Sequence, residues 1–243
     1  MNNELRHYLG LTVTGRLSRR AFIGRAAALG VTAAAANTLL ADAVMAAGPV
    51  RGGTLRIGLQ GGESTNSLDP ALAASQVPYA ILNCIGETLV EVDATGNLVM
   101  RVAEEVMATP DAKTWMVRIR KGITFHNGKT LTPEDVVATL ARHSDENAKS
   151  GALGIMRGIE SMKLDGDLVA VTLTTPNADL PYLMADYHLM IQPDGGRENP
   201  ADGIMSGAYT IQVDEPGVRH VMAKNPNYWD ADRGFVDSIE ITV

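Results

Sequence analysis

Residues that could carry chemistry are present in this sequence, but their spacing matches no catalytic or metal-binding motif. His126, His143, His188 and His220 lie far apart, with no H-E-x-x-H pattern and no two histidines four residues apart. The single cysteine, Cys84, rules out a cysteine cluster and an intrachain disulfide. The sequence also has no G-x-S-x-G nucleophile motif, no P-loop and no G-x-G-x-x-G motif. We therefore expect no enzymatic activity, no bound metal and no cofactor.

A polar, glycine-rich loop is the strongest candidate for ligand binding. Residues 60–67 read QGGESTNS and follow a predicted first strand at 54–59. Loops at strand ends commonly line ligand clefts in α/β proteins. This loop offers backbone N–H groups and polar side chains, of which those of Glu63, Ser64, Thr65 and Asn66 are the candidates for ligand contact. An ordinary surface loop is the alternative interpretation.

Other reactive or aromatic residues have two interpretations each. Cys84 lies in the apolar run AILNCIG, which is typical of a buried, inert thiol, although a reactive thiol is the alternative. Tyr228 and Trp229 could line a pocket or pack as an aromatic corner. The acidic pair at 104–105 is typical of an exposed helix face, and the pair at 134–135 of a helix start.

The elements that would position these residues are clearest at 114–137. Apolar and polar residues alternate over 114–120, which predicts a half-buried strand. The alternation resumes at Ile123 and Phe125 and predicts a second strand, which a turn at 127–128 ends. Thr132-Pro133, followed by two acids, predicts a helix start.

Shorter patterns predict the remaining elements. Apolar residues at helical spacing over 79–89 predict a helix, and 98–106 reads as a short helix or turn. Hairpins are predicted at 162–173 and 209–224. Strands are predicted at 89–92, 189–191 and 239–243, and a short helix is predicted at 181–185.

The N-terminal segment reads as an export signal. Residues 18–23, SRRAFI, match the twin-arginine pattern S-R-R-x-F-[LI], and an Ala-rich apolar segment follows. Small residues at 41–47 suit a signal peptidase, which places the cleavage near Ala43–Ala47. We therefore expect export by the twin-arginine route to the periplasm, without a membrane anchor. An ordinary N-terminal helix is the alternative.

The composition excludes one class of partner. The net charge is −7, and the sequence shows neither a basic stripe nor basic residues interleaved with aromatic ones. Nucleic-acid binding is therefore not expected.

Several motifs follow one another along the chain in a recognisable order. The pattern G-x-x-F-x-[DN]-G-x-x-[FL]-x-[AP]-x-D-V is matched by Gly122, Phe125, Asn127, Gly128, Leu131, Pro133, Asp135 and Val136. The other motifs are Gly53-Thr54-Leu55, Leu68-Asp69-Pro70, Glu87-Thr88-Leu89-Val90 and Asn225-Pro226-Asn227-Tyr228-Trp229. Together they resemble the motifs of the family 5 extracytoplasmic solute-binding proteins, the peptide and nickel binding components of ABC importers. The sequence departs from the family at Ala208, where a proline is usual, and near 98–105, where a proline and a tryptophan are absent.

The resemblance implies an α/β, periplasmic binding protein-like fold of the class II type, two-lobed with an inserted domain. It divides the chain into a signal peptide at 1–47, a first segment of lobe I at 48–86, an inserted domain at 87–185 and a second segment of lobe I at 186–243. The second lobe would be missing, because family members are longer and the chain stops inside a predicted strand.

The resemblance also implies a function. We expect a monomeric periplasmic protein that binds short peptides, or a similar small solute, and delivers them to an ABC permease in the inner membrane. Glu63 would then bind a peptide ammonium group, and Ser64, Thr65 and Asn66 its main chain. Peptide, nickel chelate, haem, sugar and opine remain open as ligands.

Two alternatives to a functional binding protein remain. One is an exported enzyme, which would need His126, His188 and a carboxylate within hydrogen-bond reach of one another. The other is a truncated fragment that binds nothing.

Overall fold

The computed structural model describes residues 2–243, which divide into two compact units, one that ends at Arg51 and one over Gly52–Val243. The first unit consists of three helices, α1 Asn3–Val13, α2 Arg19–Ala28 and α3 Ala33–Ala47. Ser18 caps α2 by accepting a hydrogen bond from the Ala21 N–H, and Thr32 caps α3 in the same way. A small core joins them, formed by Leu5, Leu9, Phe22, Ala26, Ala36 and Leu40. Within 2–243, no helix has the length and apolarity that crossing a bilayer requires.

The second unit contains a mixed four-stranded sheet in the order β1-β10-β9-β8. Its strands are β1 Thr54–Gly58, β8 Tyr209–Glu215, β9 Arg219–Lys224 and β10 Ser238–Thr242. β1 pairs with β10 in parallel, whereas the β10-β9 and β9-β8 pairs are antiparallel. Helix α4 Gln76–Ile85 packs against this sheet and buries Val77, Ile81, Leu82 and Ile85.

A second sheet is antiparallel throughout, in the order β4-β5-β7-β6. Its strands are β4 Ala103–Ala108, β5 Thr114–Ile119, β6 Ile159–Asp165 and β7 Leu168–Leu173. A separate ribbon pairs β2 Val90–Val92 with β3 Leu98–Met100. The remaining helices are α5 Pro133–Ser144, α6 Leu153–Met156 and α7 Leu180–Leu183. Alternate residues of β5 and β7 enter the core with the apolar face of α5.

Helix α5 begins where the sequence indicates. Thr132 is the N-cap residue, and its backbone N–H and hydroxyl both donate to Asp135 Oδ2, at 2.9 and 3.0 Å. The other Asp135 oxygen lies 2.9 Å from Lys129 Nζ. The buried Asp135 carboxylate is therefore fully paired at the positive end of the helix.

Two predicted elements were wrong. Residues 98–106 form β3 and β4 rather than a helix or turn, because β2 and β5 supply the pairing partners. The pair at 104–105 therefore lies exposed on a strand, not on a helix face. Residues 189–191 form no strand, since Leu189 ends a 3₁₀ turn, Tyr187–Leu189.

The expected second strand at Ile123 and Phe125 is also absent from the described residues. Both side chains are buried, but the segment makes only one isolated bridge, Thr124 with Thr130. The Phe125 N–H donates to the Lys129 carbonyl, and the Leu131 N–H donates to the Ile123 carbonyl. The backbone of this segment therefore forms a tight turn, in which Gly128 has a φ of 84°. No strand pairing continues beyond the turn among the described residues.

Candidate functional site

The predicted binding loop forms a turn directly after β1. Glu63, Ser64 and Thr65 are exposed, and the Asn66 N–H closes the turn by donating to the Glu63 carbonyl at 3.0 Å. Among residues 2–243, no other side chain hydrogen-bonds or forms an ion pair with those of Glu63, Ser64 and Thr65. The structure therefore brings three of the four candidates together with their polar groups open to solvent. Asn66 is the exception, because its side chain holds the loop in place.

Asn66 and Ser75 fasten the loop to the segment that precedes α4. Asn66 Nδ2 donates to the Gly61 carbonyl at 3.1 Å and reaches Ser75 Oγ at 3.4 Å. The Ser75 hydroxyl also donates to the Gly61 carbonyl. A Cβ at Gly62 would lie 2.5 Å from Val243 Cγ2, so only glycine fits there without a shift. These contacts give the exposed turn a fixed base.

The segment before α4 is a functional candidate that sequence analysis missed. Ala73 and Ser75 have extended backbones, at φ −65°, ψ 118° and φ −142°, ψ 173°. Ala74 between them is exposed, and within the part of the chain that the structure describes neither its N–H nor its carbonyl has a hydrogen-bond partner. A short extended segment with free backbone groups can pair with an extended peptide. Its sequence, Ala-Ala-Ser, gave no signal for this.

A buried histidine lies below the same loop. His220 on β9 is 2 % exposed, and its Nδ1 lies 2.6 Å from Asp214 Oδ1. The His220 ring lines a small cavity together with Asn66 and Ser67. The Asp214 carboxylate thus orients the ring at the wall of this cavity.

The remaining histidines do not assemble into a catalytic group. His126 contacts the carbonyls of Gly203 and Gly207, whereas His188 contacts Asp186 and the Ala73 carbonyl. The arrangement that would have favoured an enzyme, with both rings and a carboxylate in mutual reach, is thus not found in residues 2–243. The same residues contain no cluster of three potential metal ligands.

His143 is buried with its Nδ1 at 2.6 Å from Ser150 Oγ. Burial, reinforced by the nearby positive charge of Arg142, lowers the pKa of His143 to about 4. Its ring is therefore neutral at physiological pH. Its Nε2 has no hydrogen-bond partner among the described residues, so no carboxylate orients the ring, and the Ser–His pair has the character of a packed polar contact.

An ion network around Arg101 also escaped sequence analysis. The buried guanidinium binds both oxygens of Glu87, at 2.9 and 2.8 Å, and Asp230 Oδ2 at 2.8 Å. Tyr228 donates to Glu87, and the guanidinium groups of Arg101 and Arg120 each lie 4.8 Å from the Trp229 ring centroid. Trp229 thus packs as an aromatic corner, while Tyr228 lines a cavity of about 210 Å³.

Charge and burial in this network shift the pKa of the Arg101 guanidinium in opposite directions. Burial alone would lower the pKa of Arg101, but the hydrogen bonds and charge of Glu87 outweigh it and raise that pKa. Burial, followed by the charge of Glu87, raises the pKa of Tyr228. Cys84 borders the same cavity half-buried, and burial raises its pKa to about 11, so the thiol is protonated at neutral pH.

Comparison with known proteins identifies the family. The sequence model of the bacterial extracellular solute-binding proteins, family 5 (middle), matches residues 97–243. The chain belongs to this family. The motif-based expectation is therefore confirmed, and the relatives are named as binding proteins rather than enzymes.

Individual relatives agree with this assignment. The chain is 27 % identical over 192 residues to a dipeptide-binding protein of Lactococcus lactis, covering 68 % of this chain and 35 % of the relative. It is 25 % identical over 209 residues to the periplasmic oligopeptide-binding protein OppA of Escherichia coli, covering 73 % and 37 %. The chain thus spans little more than a third of the length of these relatives.

Solved structures confirm the fold class. AgaA from A. tumefacien R10, in complex with agropinic acid, superposes with a TM-score of 0.72 at 26 % identity, covering 78 % of this chain and 39 % of AgaA. The oligopeptide-binding protein AppA of Bacillus subtilis, in complex with a nonapeptide, gives a TM-score of 0.71 at 23 % identity, covering 81 % and 41 %. The fold is therefore α/β and of the periplasmic binding protein type.

Proposed function

We propose that this chain belongs to the solute-binding component of an ABC importer and that its solute is a short peptide. Two observations support the proposal. The chain belongs to family 5, whose members include proteins named for binding dipeptides and oligopeptides. The structure also holds an exposed acidic turn next to an extended segment with free backbone groups, and Ser75 joins the two. The second observation carries the peptide assignment, because a peptide has groups that complement both.

In the proposed complex, the Glu63 carboxylate pairs with the peptide ammonium group. Ser64, Thr65 and Asn66 contribute polar groups around the peptide terminus. The free N–H and carbonyl of Ala74 pair with the peptide main chain, as an added strand does. Backbone hydrogen bonds of this kind do not depend on the side chains of the peptide, so they allow peptides of many different sequences to bind.

The proposal extends to the organisation of the chain. Residues 1–47 act as a twin-arginine signal, 48–86 and 186–243 form lobe I, and 87–185 form the inserted domain. Pairing of β1 with β10 supports this division, because it brings the first and last segments into one sheet, whereas β4 to β7 form another. The exported protein would pass its solute to an ABC permease.

Isothermal titration calorimetry of the full chain with trialanine and N-acetyl-trialanine tests the role of Glu63. Free trialanine should bind about tenfold more tightly, since acetylation removes the ammonium charge. Glu63→Gln should abolish this preference. Glu104→Gln is the matched control, because Glu104 is an exposed glutamate on β4, in the other sheet. Equal affinity for both peptides in the unmodified chain would contradict the assignment.

A further inference from the structure

We propose that Tyr79, supported by Tyr187, forms a side-chain subsite that selects an aromatic residue of the bound peptide. The inference rests on the proposed peptide-binding function and adds a preference that backbone pairing alone cannot give. It follows from the position, exposure and rigidity of three stacked rings beside the free backbone of Ala74.

The rings form a continuous stack. The Tyr187 and His188 ring centroids are 4.1 Å apart with planes inclined by 30°, and Tyr79 meets Tyr187 edge-on, at 5.0 Å and 89°. Tyr79 is 50 % exposed, so half of its surface has no covering. Offset and edge-to-face arrangements are the favoured geometries for aromatic pairs, and an incoming ring can extend the stack in either.

The stack borders the extended segment directly. His188 Nε2 lies 2.9 Å from the Ala73 carbonyl oxygen, and the Tyr187 hydroxyl donates to the same oxygen at 3.4 Å. Tyr79 lies in the first turn of α4, where its N–H donates to the Ser75 carbonyl at 3.1 Å. Tyr187 and His188 therefore contact the residue before Ala74, and Tyr79 hydrogen-bonds to the residue after it.

The support beneath Tyr79 is rigid. Asp186 Oδ1 accepts from the His188 backbone N–H at 2.9 Å and lies 2.6 Å from His188 Nδ1, so it orients the imidazole. A Cβ at Gly151 would lie 2.2 Å from His188 Nε2, so the close approach of these two residues requires glycine. The fixed imidazole supports Tyr187, against which Tyr79 packs edge-on. A ligand that packs on Tyr79 therefore immobilises less than it would on an unsupported ring.

An aromatic occupant fits the exposed surface better than an aliphatic one. Leu72, in the 3₁₀ turn Pro70–Leu72 just before Ala73, is 51 % exposed, so the rings and Leu72 together leave apolar surface around the free backbone. Tyrosine is enriched at binding surfaces because it offers a large, rigid contact area. A leucine side chain gains burial there, whereas an aromatic side chain gains burial and ring pairing.

Calorimetric titration of the full chain with tripeptides tests the subsite. Trialanine is compared with peptides carrying Phe or Leu at each position in turn, so that leucine controls for apolar burial. At one position, the Phe peptide should bind about threefold to tenfold more tightly than its Leu counterpart. Tyr79→Ala should remove that preference, and Tyr79→Phe should keep it. Tyr182→Ala, at a tyrosine of matched exposure on α7 (48 %), should leave it unchanged.

The outcomes separate the two proposals. If tripeptides bind without a preference for Phe over Leu, or if the preference survives Tyr79→Ala, the aromatic subsite is refuted while peptide binding stands. If no tripeptide binds at all, the proposed function is refuted and the subsite falls with it. Loss of the preference in Tyr79→Phe would also overturn the inference, because ring packing would then not be its cause.

Discussion

Replacing Arg101 with methionine should destabilise the second unit strongly. Arg101 is 3 % exposed and binds Glu87, whose side chain is 8 % exposed, and Asp230, whose side chain is 17 % exposed. Arg101→Met removes the cation and leaves both carboxylates inside the protein without it. Breaking a buried ion pair by deleting one partner costs about 3–5 kcal/mol. Loss of the guanidinium from the Trp229 ring acts in the same direction.

Urea unfolding followed by tryptophan fluorescence measures this effect. We expect the free energy of unfolding to fall by about 4 kcal/mol, which for a unit of this size corresponds to about 8–16 °C in Tm. The matched control is Arg118→Met, because Arg118 forms an exposed pair with Glu105, with side chains 40 % and 50 % exposed, and should lose less than about 1 kcal/mol. Adding Glu87→Gln to Arg101→Met should recover part of the loss, since it removes one unpaired charge. Equal losses in Arg101→Met and Arg118→Met would refute the reasoning.

Three further predictions concern pH, packing and export. The folded-state pKa of His143 is about 4, below its unfolded value, so its contribution to stability is present above about pH 6.5 and is lost as the pH falls towards 4. In urea titrations, the free energy of unfolding of the unmodified chain should therefore fall more steeply over this range than that of His143→Gln. Gly207→Ala should cost more than about 2 kcal/mol, because a Cβ there would lie 2.3 Å from the Ile85 carbonyl carbon, and an unchanged Tm would contradict that close approach. Replacing Arg19 and Arg20 with lysine keeps the charge but should abolish export of a fused reporter, if the pair forms a twin-arginine signal; undiminished export would reject the signal.

Local signals in the sequence predicted much of the fold. Strand β5 and helix α5 could be found because alternation and the Thr132-Pro133 helix start are encoded within a few residues. The hairpins at 162–173 and 209–224 were found for the same reason and are confirmed as β6–β7 and β8–β9. β3 and β4 were missed because their apolar residues fit a helical or an extended pattern, and only pairing with β2 and β5 decides between them.

The candidate site was predicted in part. Residues 63–66 could be chosen because they are polar and follow a strand, and their contact with a ligand is a prediction. Ala74 could not be predicted, because whether a backbone group lacks a hydrogen-bond partner depends on how the rest of the chain packs around it. The Arg101 network was equally hidden, because Glu87 and Asp230 lie 14 and 129 residues away from Arg101 in the sequence.

The most direct test of the central claim is the melting temperature of the full chain with and without short peptides. A ligand that binds only the folded state at 100 times its Kd stabilises it by about 2.7 kcal/mol, which corresponds to about 5–11 °C here. We expect a rise of this size with di- to pentapeptides. No rise with these peptides, with nickel–histidine complexes or with haem would contradict a solute-binding function for this chain.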